Sequence, residues 1–180
     1  RNKIHPWKFA LWAACASILM MFASLTSAYV VRHAAGNWLE FAMPNIFFVS
    51  AGVMVASSIV LHFSYSFFKK ENETMYKLLL VIGSILGVLF LVTQYMGWIA
   101  LNDMGVFLDG NPSGSFVYAI SGLHAAHVLG GIATLIMALV HAFGLKFKVT
   151  EKRKVRFELT LTYWHFVDIL WIYLLCFMIL

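Results

Sequence analysis

Five long stretches with almost no charge limit what this chain can become. Residues 9–31, 43–68 and 78–101 contain no Asp, Glu, Lys or Arg, and neither do residues 110–145. Residues 159–180 contain one charged side chain, Asp168. Crossing a bilayer as a helix takes about 20 apolar residues, so each stretch is long enough to span. In hydrocarbon every backbone polar group must be bonded internally, and continuous runs of this length suit helices rather than barrel strands. With 62% of residues hydrophobic and 12% charged, a soluble globule would have more apolar surface than it could cover. The sequence therefore predicts an all-α integral membrane protein of one domain, residues 1–180. Its spans are about 9–31, 43–68, 78–101, 115–145 and 159–180, the fourth starting after the turn signal Asn111-Pro112-Ser113-Gly114.

Basic residues give the orientation. The N-terminus holds Arg1, Lys3 and Lys8, and the second loop holds Lys69, Lys70 and Lys77. The fourth loop holds Lys146, Lys148, Lys152, Arg153, Lys154 and Arg156. With five spans these segments share one side, and they contain 12 of the 13 Lys and Arg. The positive-inside rule then places the N-terminus in the cytoplasm and the C-terminus in the periplasm. The basic excess reads as a topology signal that also meets anionic headgroups, and not as a nucleic-acid surface. Residues 9–31 are too long for a signal peptide and lack a small-residue cleavage site. The sequence does not begin with Met, so a short stretch is expected before Arg1. Cys15 and Cys176 lie inside spans and read as small packing residues.

Small residues recur along three spans. Gly83, Gly87, Gln94 and Gly97 share a face of the third, and Ala10, Ala13, Ser17, Ser24 and Ser27 a face of the first. In the fourth, His124, His127, Gly131, Thr134, Ala138 and His141 follow spacings of three and four. Such faces let membrane helices approach closely, so the seams are expected to point inward or toward partner subunits. Trp7, Trp12, Trp38, Trp98, Tyr29 and Tyr118 fall near span ends, as interfacial aromatics do.

Ionisable groups within spans are costly and need a partner or a task. Glu158, His165 and Asp168 lie on one broad face of the fifth span, with Trp164 and Trp171 beside them. Helix depth brings Asp168 level with the region of His124 and His127, predicting a carboxylate–imidazole pair between the fourth and fifth helices. A structural clamp is the preferred reading and a proton relay the second. Haem ligation is a competing use of the histidines. His127 and His141 stand 14 residues apart, roughly 21 Å of helix, but His5, His33, His62 and His165 supply no matching pair. A single haem between His124 or His127 and His165 would make the chain a small cytochrome b-like electron carrier. No Cys cluster or His-Glu-x-x-His run is present, so no metal ligand or catalytic residue is assigned. A transporter is disfavoured by the lack of inverted repeats and broken helices.

Tyr163-Trp164-His165-Phe166-Val167-Asp168, followed by Trp171, resembles the C-terminal signature of subunit III of haem–copper terminal oxidases. Gly122-Leu123-His124-Ala125-Ala126-His127-Val128-Leu129-Gly130 resembles that family's helix with two histidines, and Glu158 matches its glutamate seven residues before the C-terminal histidine. Leu86 to Val92, with Gln94 and Trp98, resembles the preceding helix. The five-span length resembles the bacterial form, which lacks two N-terminal helices of the mitochondrial type. The resemblance implies an accessory subunit in the bacterial cytoplasmic (inner) membrane, without haem or copper of its own. It implies catalytic subunit I, and also subunit II, as partners holding those cofactors, and membership of a larger respiratory supercomplex as a further possibility. It also implies bound phospholipid and support of oxygen access and proton uptake while the complex reduces oxygen to water. Ile18 and Gly97 stand where the family often carries membrane-embedded glutamates, so proton or oxygen roles attached to those acids do not transfer.

Overall fold

The computed structural model describes residues 6–179; Arg1, Lys3, His5 and Leu180 lie outside the described residues. It consists of five helices, α1 (Pro6–Ala34), α2 (Asn45–Lys69), α3 (Glu73–Asp103), α4 (Pro112–Gly144) and α5 (Glu151–Ile179), with no strand among the described residues. All five are long and apolar enough to cross a membrane. The chain is an all-α, multi-pass membrane protein.

The helices run past the uncharged stretches, and local chemistry sets where they end. The Asn72 side chain caps α3 by accepting from the Met75 amide at 3.1 Å. Asn111 caps α4 by accepting from the Ser113 amide at 3.0 Å. The fourth helix thus begins within the Asn-Pro-Ser-Gly turn signal and not after it. Pro112 occupies the first helical turn, where its missing N–H leaves nothing unsatisfied. Asn111 also accepts from the Leu39 amide and donates to the Asn37 carbonyl, both at 3.2 Å, tying the first and third loops together. The fifth helix starts at Glu151, eight residues before the apolar stretch, so Lys152, Arg153, Lys154 and Arg156 form its opening turns.

The helices form an open arc in the order α1, α4, α3, α2. The backbones of α1 and α2 do not meet, and α5 sits in the mouth of the arc against α1, α2 and α4. The α2–α3 seam is closed by polar side chains that bond across it. Ser57 donates to the Gly83 carbonyl at 2.8 Å, Ser64 to the Tyr76 carbonyl at 2.9 Å, and Gln94 to Ser50 at 3.0 Å. In a bilayer such bonds replace the missing hydrophobic drive between helices.

Trp164 is the centre of the packing. Its indole is fully buried and lies against Gly87 of α3 and Gly131 of α4. A Cβ on Gly87 would sit 2.6 Å from the indole, and one on Gly131 would sit 3.0 Å from it. Gly83 and Gly97 open similar seats for Leu61 and Phe47 of α2. The seam of α1 behaves differently: Ala10, Ala13, Ser17, Ser24 and Ser27 all face outward. Phe22 and Thr26, on the opposite side, supply the buried contacts of α1. The inward alternative for that seam is therefore corrected, because the bulkier residues fill the space above α4 and α5.

Gly87→Val is expected to destabilise the protein by about 1–3 kcal/mol by overpacking the indole seat. Gly122→Val, where a Cβ meets nothing within 4 Å, should leave the midpoint unchanged. Thermal unfolding followed by size-exclusion chromatography in detergent distinguishes the two.

Candidate functional site

The gap between α1 and α2 exposes one flank of α5, and the ionisable residues gather there. At its basic end Lys8 of α1 donates to Glu158 Oε2 at 2.5 Å. Tyr65 of α2 donates to Glu158 Oε1, also at 2.5 Å. Both carboxylate oxygens are thus satisfied, and Glu158 links two helices whose backbones do not touch.

Two turns along α5, His165 meets His62 of α2 with ring centroids 5.8 Å apart. Both histidines line a cavity of about 240 Å³ with Lys8, Trp12 and Glu158. Both also line a second cavity, of about 360 Å³, with Ser58 and Asp168. The two cavities share these histidines in their linings and together make up the groove region along α5. Asp168 is 6% exposed. The Ser58 hydroxyl faces it from α2, yet neither Ser58 Oγ nor Asp168 Oδ1 has a partner in hydrogen-bond geometry.

This arrangement corrects the expected pairing of Asp168 with His124 or His127. His124 is fully buried on the other side of α5, where its Nε2 donates to the Val167 carbonyl at 2.8 Å. Its ring packs on Trp171, with centroids 4.9 Å apart, and edge-on to Phe90. His127 is half-buried; its Nδ1 donates to the Leu123 carbonyl within α4 at 2.7 Å, and its own carbonyl accepts from Tyr163 at 2.9 Å. A clamp between α4 and α5 does exist, but it is built from backbone carbonyls, Tyr163 and the Trp164 seat. With Trp164 turned toward Gly87 and Gly131, Asp168 is rotated to α2.

The histidines proposed as alternative haem ligands are likewise divided. His124 is held in the interior, whereas His165 faces His62 in the groove. Among the described residues no three His, Cys, Asp or Glu side chains are grouped to hold a metal ion. The groove presents mainly apolar surface, with His62, His165 and Asp168 along it.

Three members of the site were not singled out in the sequence. His62 is a lone histidine in an apolar stretch, and Ser58 and Tyr65 look like packing residues. The signal that finds them is periodicity: Ser58, His62 and Tyr65 are spaced four and three, one face of α2.

Glu158→Gln is expected to weaken the three-helix tie by about 1 kcal/mol, the value of a charge-assisted bond reduced to a neutral one. A lowered unfolding midpoint, matched by Lys8→Met but not by Lys70→Met, checks it.

Residues 39–180 match the family model described as cytochrome c oxidase subunit III. A Nocardia farcinica protein named as a probable cytochrome c oxidase subunit 3 is 31% identical over 166 residues, covering 87% of this chain and 78% of that protein. The Corynebacterium diphtheriae cytochrome c oxidase subunit 3 is 28% identical over 162 residues, covering 86% and 78%. The Rattus norvegicus cytochrome c oxidase subunit 3 is 28% identical over 126 residues, covering 70% of this chain and 46% of that protein.

Proposed function

Because the chain belongs to the cytochrome c oxidase subunit III family, we propose that it is the accessory, non-redox subunit of a proton-pumping aerobic terminal oxidase. Membership of this family implies a complex with other oxidase subunits. In that complex the haem and copper belong to the partners, and subunit I, with subunit II, is the surface this chain stabilises. The match across residues 39–180 carries this reading. The distribution of polar groups supports it, since His124 and Glu158 are engaged in holding helices together.

The finer roles follow the geometry. The basic end of the groove, with Lys8 and Trp12, suits a phospholipid headgroup at the membrane edge. Lipid chains along the exposed apolar faces would give oxygen, which partitions into hydrocarbon, a path beside the catalytic subunit. Proton-uptake support rests on the basic edge being cytoplasmic, the orientation given by the Lys and Arg distribution. The location is then a bacterial inner membrane.

Deleting this chain and purifying the remaining oxidase tests the proposal. Haem and copper per catalytic subunit should stay constant and the reduced-minus-oxidised spectrum should not change, while turnover is lost progressively during catalysis. The isolated chain should show no haem band. A haem spectrum from the isolated chain would favour the cytochrome b-like alternative.

A further inference from the structure

The segment between α4 and α5 is held straight. Leu145 closes α4 with extended backbone, φ −120° and ψ 147°, and residues 146–150 continue without a turn or bend. Exposure alternates along it: Lys146, Lys148 and Thr150 are exposed, whereas Phe147 and Val149 are half-buried and pack on the core. That period of two is the pattern of a strand. Both ends are anchored. Phe147 sits against the rings of Phe68 and Tyr76, and the Thr150 hydroxyl accepts from the Arg153 amide at 3.3 Å as α5 begins. The Arg153 guanidinium then reaches back and donates to the carbonyls of Lys146 at 3.0 Å and Lys148 at 3.3 Å.

In an extended chain the backbone groups of alternate residues point to opposite edges. Arg153 therefore covers the edge formed by Lys146 and Lys148, and the N–H and C=O groups of Phe147 and Val149 form the other. None of those four groups is hydrogen-bonded among the described residues. An open edge fixed in extended form is a template for a further strand. The charges decide what can pair with it. Lys146 and Lys148 stand roughly 7 Å apart along the segment, and Lys152 and Arg156 are exposed on the opening turns of α5. None of the four is ion-paired among the described residues, where Glu73, Glu151 and Glu158 are engaged by Lys77, Lys154 and Lys8. A second copy of this edge would be repelled by its own lysines. A lipid phosphate would meet the charges, but it only accepts hydrogen bonds, leaves both carbonyls to water and gains nothing from a straight backbone. We propose that residues 146–149 bind an extended acidic segment of a neighbouring subunit by strand addition. Its acidic side chains lie opposite Lys146 and Lys148, and its backbone pairs with Phe147 and Val149. Naming the neighbour as an oxidase subunit rests on the accessory-subunit reading; the edge itself does not.

The test uses the full chain in phosphatidylcholine nanodiscs and a fluorescein-labelled hexapeptide of alternating Glu and Thr, with fluorescence anisotropy as the readout. The peptide is expected to bind, and the same peptide with Lys in place of Glu is not. N-methylation of alternate peptide amides blocks one edge of the probe at a time. Blocking one edge should weaken binding roughly tenfold, the effect of losing one or two backbone hydrogen bonds, and blocking the other should leave it unchanged. Val149→Pro, which removes an edge N–H and keeps the charge, should also weaken it roughly tenfold. Lys148→Glu, which leaves the packed side of the segment untouched, should abolish it. The methylated peptides need no altered protein, so a folding defect in either variant does not decide the matter. Equal binding by the parent and both methylated peptides reduces the surface to charge alone and overturns the proposal. Absence of binding by the parent peptide overturns it too, as does displacement of the probe by an equal concentration of glycerol phosphate, which assigns the surface to lipid headgroups. Each of these results leaves the outcome of deleting the chain from the oxidase untouched, so the two readings fail separately.

Discussion

The seat of the Trp164 indole between Gly87 and Gly131 fixes the rotation of α5, and the rest of the molecule follows from that rotation. Without a hydrophobic force to drive membrane helices together, dispersion over a close contact and hydrogen bonds across seams must do so. The two glycines remove the side chains that would keep α3 and α4 from the indole. Once Trp164 points inward, Val167 presents its carbonyl to His124 and Trp171 packs at a tilt on the same imidazole. The opposite flank of α5, with Glu158 and His165, is then turned toward the gap between α1 and α2, and Asp168 toward α2.

That rotation separates two kinds of polar residue that look alike in sequence. His124 and Glu158 are structural: one bonds a backbone carbonyl in the interior, and the other joins Lys8 and Tyr65 at the basic edge. His165 and Asp168 lie in a groove with no protein partner in hydrogen-bond geometry for the carboxyl's buried oxygen. His124 and Glu158 thus serve packing, whereas His165 and Asp168 line the groove between α2 and α5.

Much of this was legible from residue order. The five spans follow from charge-free length, and the glycine seam of α3 follows from spacings that place Gly83, Gly87 and Gly97 on one face. The special status of the segment from Tyr163 to Asp168 follows from charge in an apolar run. The direction of Asp168 was not legible. A helical wheel allows it to reach α2 or α4, and only the depth of the Trp164 seat, a property of three helices together, selects α2. His62 escaped notice because a solitary imidazole gains meaning only when α2 lies beside α5. The outward small-residue face of α1 shows the same limit, since periodicity identifies a face but not its neighbour.

Replacing the hub itself tests the account most directly. Trp164→Ala in the assembled oxidase should destabilise this chain by about 3–5 kcal/mol, the range for removing a large buried aromatic, while leaving the haem and copper spectra of the complex unchanged. The unfolding midpoint of this subunit and the optical spectrum, read from the same preparation, give both quantities. An unchanged midpoint together with an altered haem spectrum would contradict the view that α5 organises a supporting subunit around a packed indole.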